Sequence, residues 1–171
     1  GNSYIVTQKE RTKPLSTLEF TNNIYSNDNA TKGVADLLGK GIFEYTKPVS
    51  LMAMFALLAT RDSDIVLDFF SGSGTTAHAV MQLNAEDGGN RRHIQVQLPE
   101  PTDENSEAYK AGYHKISDIA RERINRAGEK IKADFANKLA QRDTPLDTGY
   151  RTYKLSDTNF TRWQSSYTAD V

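Results

Sequence analysis

Ile65-Val66-Leu67 is a short apolar run that ends on Asp68 and passes at once into Phe69-Phe70-Ser71-Gly72-Ser73-Gly74-Thr75-Thr76. A partly β-branched apolar run of that length predicts a buried parallel strand. Gly72 and Gly74 let the main chain turn sharply and let another group come close to it. Residues 75–83 predict a helix, whose first turn leaves N–H groups unpaired and carries the positive end of the helix dipole. Strand, glycine turn and helix in this order commit the chain to an α/β unit. Its polar ligand would sit at the C-terminal end of the strand.

The flanking sequence predicts the rest of that unit. Residues 1–30 are polar and broken by Pro14 and by Asn-rich runs, with short strands or loops expected around Tyr4-Ile5-Val6 and Leu18-Glu19-Phe20. Thr31 is expected to cap a short helix ending near Gly39 or Gly41, followed by an extended stretch over Ile42-Phe43-Glu44-Tyr45. Pro48 suits the first turn of the next helix, where a missing N–H costs nothing. That helix carries Leu51, Met52, Met54, Phe55, Leu57 and Leu58, apolar over most of its circumference, which predicts burial.

After a turn at Asp87-Gly88-Gly89-Asn90, a second strand is expected over His93-Ile94-Gln95-Val96-Gln97-Leu98, stopped by Pro99. A long helical region spans residues 106–141, with Ile116, Ala120, Ile124, Ala127, Ile131, Phe135 and Leu139 as its apolar stripe and Gly128 as a candidate kink. Residues 150–155 alternate like a late strand, and Trp163 is a candidate anchor in an otherwise loose tail.

Composition removes several kinds of chemistry. With no cysteine in its 171 residues, the chain has no disulfide, thiolate metal site or cysteine nucleophile. His78, His93 and His114 have no metal-ligand spacing and are read as surface or helix histidines. No apolar run approaches the ~20 residues of a membrane span and no signal-peptide pattern opens the chain, so a cytoplasmic protein is expected. A net charge of −1 gives no whole-molecule pull toward nucleic acid.

Three ligand classes compete for the glycine turn. A phosphate-binding loop needs a Lys after the glycines, and here Thr75 and Thr76 stand in its place. Gly72-Ser73-Gly74-Thr75-Thr76-Ala77 does satisfy the dinucleotide pattern G-x-G-x-x-A, but the next strand ends in Gln97, with Glu100 a turn later, rather than in the expected carboxylate. Asp68 separates the remaining classes. A carboxylate directly before the loop repels a pyrophosphate and suits the ammonium group of a methionine moiety. The residues therefore favour S-adenosylmethionine over NAD. Asp68 as a mere cap on the loop amides stays open beside that reading.

These residues resemble a family. Asp68-Phe69-Phe70-Ser71-Gly72-Ser73-Gly74-Thr75-Thr76 is similar to the D-x-F-x-G-S-G-T-T form of motif I in amino-group DNA methyltransferases. Phe43-Glu44-Tyr45-Thr46-Lys47-Pro48-Val49-Ser50-Leu51 resembles their motif X, here ahead of motif I as in the circularly permuted β class. The run from Leu83 to Arg92 into Val96-Gln97-Leu98-Pro99-Glu100 is similar to type III modification subunits in particular. So is Gly112-Tyr113-His114-Lys115-Ile116 through Arg121-Glu122-Arg123-Ile124.

The resemblance implies a Rossmann-like S-adenosylmethionine-dependent methyltransferase fold, a mostly parallel sheet flanked by helices and incomplete in this chain. Residues 1–30 would end a target-recognition or linker segment, 31–155 would bind the cofactor, and 156–171 would be a tail. Gly72, Ser73, Gly74, Thr75 and Thr76 would line the methionine end, Asp68 would face its amino group and Phe70 would wall the pocket. Lys47 and Pro48 would close the other side, and Gln97 or Glu100 would hold the ribose. The implied reaction is methyl transfer to adenine N6 in DNA, with the base flipped out of the duplex. The implied partners are DNA, a second copy of the subunit and a restriction subunit, with no membrane.

The family's catalytic D-P-P-Y motif is absent from the chain, which starts at Gly1. The expectation is a C-terminal fragment, inactive alone and without catalytic residues of its own. Arg121, Arg123, Arg126, Lys130, Lys132, Lys138 and Arg142 offer a phosphate-contacting face, but Glu122, Glu129 and Asp134 interrupt it and a solvated charged face explains it as well. The N-terminal Lys9, Arg11 and Lys13 fit either a recognition region or a surface arm. An NAD-dependent oxidoreductase domain and a non-enzymatic interaction module derived from a methyltransferase are the alternative functions.

Overall fold

The structure, a computed structural model, describes residues 16–156. The expectations for Tyr4-Ile5-Val6, for Lys9, Arg11 and Lys13, and for Trp163 lie outside those residues.

A parallel β-α-β unit forms the centre. Strand β1 (Ile65–Asp68) leads through the glycine turn to helix α3 (Thr75–Asp87), and strand β2 (Arg92–Gln95) returns beside β1. The register pairs Ile65 with Arg92 and Asp68 with Gln95. Ladder-like bonds carry the pairing past the strand ends: Val96 N donates to Asp68 O at 2.8 Å and Ser71 N to Val96 O at 3.1 Å. Gly88, at φ +85°, closes α3 in the left-handed conformation that only glycine adopts without strain. Arg91 then clamps the return. Its main chain exchanges two hydrogen bonds with the buried Asn84 side chain, and its guanidinium reaches Thr60 and Asp87.

Helices α1 (Asn27–Leu38), α2 (Val49–Ala59) and α5 (Ile116–Asp134) surround this unit, with short helices α4 (Glu107–Lys110) and α6 (Ala136–Leu139) beside α5. Ala77, Met81 and Ala85 of α3 meet Ile124, Ala127 and Ile131 of α5, each set recurring every three or four residues, to form one core. Val34 and Leu38 of α1 join Ile42, Ala108 and Ile119 in a second.

Several elements depart from the sequence reading. Thr17–Thr21 is a 3₁₀ helix, not a strand. Helix α1 starts four residues before Thr31 because Ser26 caps it, its Oγ accepting from Asn29 N; the boundary expected at residue 30 thus falls inside α1. Pro48 is the N-cap of α2, one position ahead of the first turn. The long helical region is broken at residues 111–115, where Gly112 takes φ +91°. Helix α5 runs through Gly128 without interruption. A Cβ there would come within 3.0 Å of the Thr148 side chain, so the glycine serves close packing and not a kink. Residues 42–45 and 150–155 form no strand.

The predicted burial of β1 and α2 also fails, for one reason. Only one face of the two-stranded sheet packs on α3, so Leu67 and its register partner Ile94 remain 57% and 51% exposed. In α2, Ala53 and Ala56 are buried while Phe55, Leu57 and Leu58 face outward. The apolar residues were read correctly, but among the described residues these two surfaces stay largely open, with Phe20 against Phe55 at a ring-centroid distance of 5.8 Å.

Candidate functional site

The C-terminal end of β1 carries Asp68 and the glycine turn, with Gln97 and the 46–48 segment beside them. Gly72 and Gly74 both adopt left-handed conformations, φ +51° and +79°, which turn the chain from the strand into α3. Gly74 is the N-cap of α3 and offers no capping side chain, so the amides of Thr75, Thr76 and Ala77 open the helix without intrahelical partners. These residues are buried, and a buried helix end of this kind calls for a polar occupant.

Asp68 lies beside that helix end. Its carboxylate accepts from Thr76 Oγ1 at 2.6 Å and from Phe70 N at 3.1 Å. It thus does brace the turn, as the cap reading held. Two hydrogen bonds leave roughly two of its about four acceptor sites for a cationic ligand group.

Gln97 braces the turn from the other strand. Its Oε1 accepts from Gly72 N at 2.8 Å, which occupies one loop amide and leaves the Nε2 donors for a ligand. Glu100 is exposed, and its backbone carbonyl receives Ile116 N at the start of α5. Phe70 is 80% exposed, stacked at a tilt on Phe69 with ring centroids 5.2 Å apart, at the rim of the site. Lys47 is exposed and Pro48 buried, directly after a residue the sequence reading passed over.

That residue is Thr46. Its hydroxyl lies 3.4 Å from Ser73 Oγ and 3.2 Å from Thr75 Oγ1, so the 46–48 segment docks on the glycine turn through three buried hydroxyls. Arg123 of α5 joins them. One terminal nitrogen (Nη1) donates toward Ser73 Oγ at 2.6 Å, Thr75 Oγ1 at 2.8 Å and Thr46 Oγ1 at 2.9 Å. The residue is 2% exposed, and among the described residues no carboxylate pairs with it. Burial pushes its pKa down to about 10, which leaves the guanidinium charged at neutral pH.

The sequence places Arg123 in a basic set that reads either as a phosphate-contacting face or as a solvated charged face. The signal that it differs was present: residue 123 falls between Ala120 and Ala127 at three- and four-residue steps, on the apolar stripe. The rest of that set is engaged internally. Arg121, Arg126, Lys130 and Lys132 pair with acids on α5 itself, while Lys138 and Arg142 bind backbone carbonyls near the end of α3.

Among the described residues, no group of three or more His, Asp or Glu side chains is placed to hold a metal, and no helix is long and apolar enough to cross a membrane. A shallow groove of about 390 Å³ lined by Asn125, Arg126, Glu129 and Thr148 lies apart from the glycine turn, on the exposed side of α5.

Comparison with known proteins decides the family. The DNA methylase family matches residues 3–87, a stretch that takes in both the 46–48 segment and the whole of β1, the glycine turn and α3. The chain belongs to the DNA methylase family. It is 42% identical over 144 residues to the type III restriction-modification enzyme StyLTI Mod subunit of Salmonella typhimurium, covering 84% of this chain and 21% of that protein. With the EcoPI Mod subunit of Escherichia phage P1 it shares 42% identity over 117 residues, 67% of this chain and 18% of the relative. A type II methyltransferase of Klebsiella pneumoniae, M.KpnI, is 35% identical over 120 residues, 70% of this chain and 28% of that protein. The chain thus spans about a fifth of the length of the type III relatives it matches. Within this chain the parallel β1-α3-β2 unit carries the glycine turn. Asp68, Gln97 and the Thr46–Arg123 cluster brace that turn from three sides.

Proposed function

We propose that this chain is the cofactor-binding portion of a site-specific DNA methyltransferase of the type III modification-subunit kind. Its methyl donor is S-adenosylmethionine and its acceptor the N6 amino group of adenine. The observation that carries the reading is the juxtaposition, at one strand end, of the Asp68 carboxylate with the uncapped start of α3. A free amino acid carries an ammonium and a carboxylate on neighbouring atoms. Asp68 suits the first, and the open amides of Thr75, Thr76 and Ala77 suit the second. A pyrophosphate would place negative charge against Asp68.

When bound, the cofactor would supply its sulfonium-activated methyl carbon as an electrophile for the amino nitrogen of adenine, with the sulfur as leaving group. The residues of this chain hold and orient; rate comes from placing the reacting atoms in line. Pro48 and Thr46 fix one wall against the glycine turn, and Gln97 Nε2 and the Glu100 carboxylate remain as ribose-directed groups. The whole protein is proposed to act on DNA in the cytoplasm, as a homodimer and with a restriction subunit.

Thermal shift of the 171-residue chain with S-adenosylhomocysteine, NAD and ATP tests the reading. Near 100 times the dissociation constant, S-adenosylhomocysteine is expected to add about 2.7 kcal/mol and raise the melting temperature by roughly 5–10 °C. Asp68→Ala is expected to weaken binding about 10- to 100-fold, the loss of one charge-assisted contact. A shift with NAD in place of S-adenosylhomocysteine would sink the proposal.

A further inference from the structure

We infer that Arg123 selects the ligand's carboxylate: its buried guanidinium positions Ser73 and Thr75 on either side of the α3 N-cap and supplies the charge that makes this helix end prefer an anionic group. The inference rests on the cofactor reading above and adds a specificity-determining residue to it.

The first argument is the charge balance. The guanidinium is buried and has no carboxylate partner among the described residues. Its contacts through Nη1 are three neutral hydroxyls, and Nε is buried with no hydrogen-bond partner among the described residues. Burying a charge in this way is costly unless something opposite in sign offsets it. Asp68, the carboxylate of this loop, accepts from Thr76 and Phe70 and forms no ion pair with Arg123.

The second argument is direction. Nη1 lies within 2.6–2.8 Å of the side chains that flank Gly74, so its positive charge stands one side chain behind the open amides of α3. Charge and dipole therefore have the same sign at the same place, with little water between them to screen either. The field also reaches further along the helix. His78, a turn into α3, is held well below its ordinary pKa by burial first and then by the positive charge of Arg123. By contrast, a purely structural arginine would hold the three hydroxyls without regard to the ligand's charge.

The two roles separate by calorimetric titration of the 171-residue chain with S-adenosylhomocysteine and with its decarboxylated analogue, which keeps the amine, sulfur and nucleoside. The unaltered chain is expected to prefer S-adenosylhomocysteine by about tenfold or more. Arg123→Met loses charge and geometry alike; it is expected to weaken both ligands but S-adenosylhomocysteine about tenfold more, so that the preference disappears. Arg123→Lys keeps the charge but, as a compact ammonium, not the geometry. It is expected to weaken both ligands and keep the preference, and it carries the test if Arg123→Met does not fold. Equal loss for both ligands in Arg123→Met, or loss of the preference in Arg123→Lys, overturns the inference and leaves the cofactor reading standing. If neither ligand binds the unaltered chain, the cofactor reading itself fails and the inference with it.

Discussion

His78 shows how one residue's surroundings set a property of the whole chain. Its Nδ1 is buried without a partner among the described residues, and burial together with the charges of Arg123 and Lys130 pushes its pKa down to about 3. In the unfolded chain the imidazole titrates near 6.5. Between these values the unfolded state binds a proton that the folded state refuses. Stability therefore falls as the pH drops from about 6.5 toward 3, by up to about 1.4 kcal/mol per unit, and this group has no effect above that window. By pH 5 the loss from His78 alone is about 2 kcal/mol. His93, also lowered by burial, adds a contribution of the same sign. Denaturant titrations at pH 7 and pH 5 are expected to show this loss, with a smaller difference in His78→Gln. An unchanged difference in that variant would remove His78 as its cause.

At the scale of elements, the turn between β1 and α3 was fully legible because each of its requirements is local. Two positive-φ positions need Gly72 and Gly74, and the helix start needs an open N-terminus. A Cβ on Gly74 would stand 3.4 Å from the Ala120 carbonyl and the Ile124 side chain of α5, an ordinary contact distance, so the demand for glycine comes from its backbone conformation, φ +79°. Gly74→Ala therefore forces a side chain into a left-handed conformation, at a cost of roughly 1–2 kcal/mol. It is expected to lower the melting temperature and to abolish S-adenosylhomocysteine binding, as read by calorimetry. Binding retained at full affinity would show that the turn tolerates a different path. The return to β2 is held in a less visible way. Asn84 meets Arg91 seven residues on, a pairing with no periodic signature, since it depends on how the Gly88-Gly89 turn folds back.

At the scale of the whole molecule, the parallel sheet has, among the described residues, two strands and one covered face. Parallel sheets are ordinarily covered on both. The exposed side carries Ile65, Leu67 and Ile94, with Val96 and Leu98 beyond the end of β2, and Phe55, Leu57 and Leu58 leave α2 with a second exposed apolar surface. Contiguous apolar surface of this kind binds hydrophobic dyes. The 171-residue chain is expected to enhance dye fluorescence in its native state, and Leu67→Thr with Ile94→Thr to reduce it. Threonine keeps strand propensity, so the change in stability should stay within about 1 kcal/mol. A chain that is silent toward the dye would show that this face is covered in solution.

Local and periodic rules settled the α/β class, the position of the glycine turn, the placing of Asp68 before it and the apolar stripe of α5, because these depend on chain spacing and backbone conformation alone. Where helices started by a cap in unexpected register, as Ser26 does for α1, the same rules missed by a few residues. Tertiary structure alone decided three things. It left β1 and α2 partly bare, because burial belongs to the surface that covers a residue and not to the residue. It turned Gly128 from a kink into a packing contact with Thr148. It also drew Arg123 from an apparently solvated helix face to Thr46, Ser73 and Thr75, residues 77, 50 and 48 positions away, because a buried guanidinium must find hydrogen-bond acceptors wherever the fold supplies them.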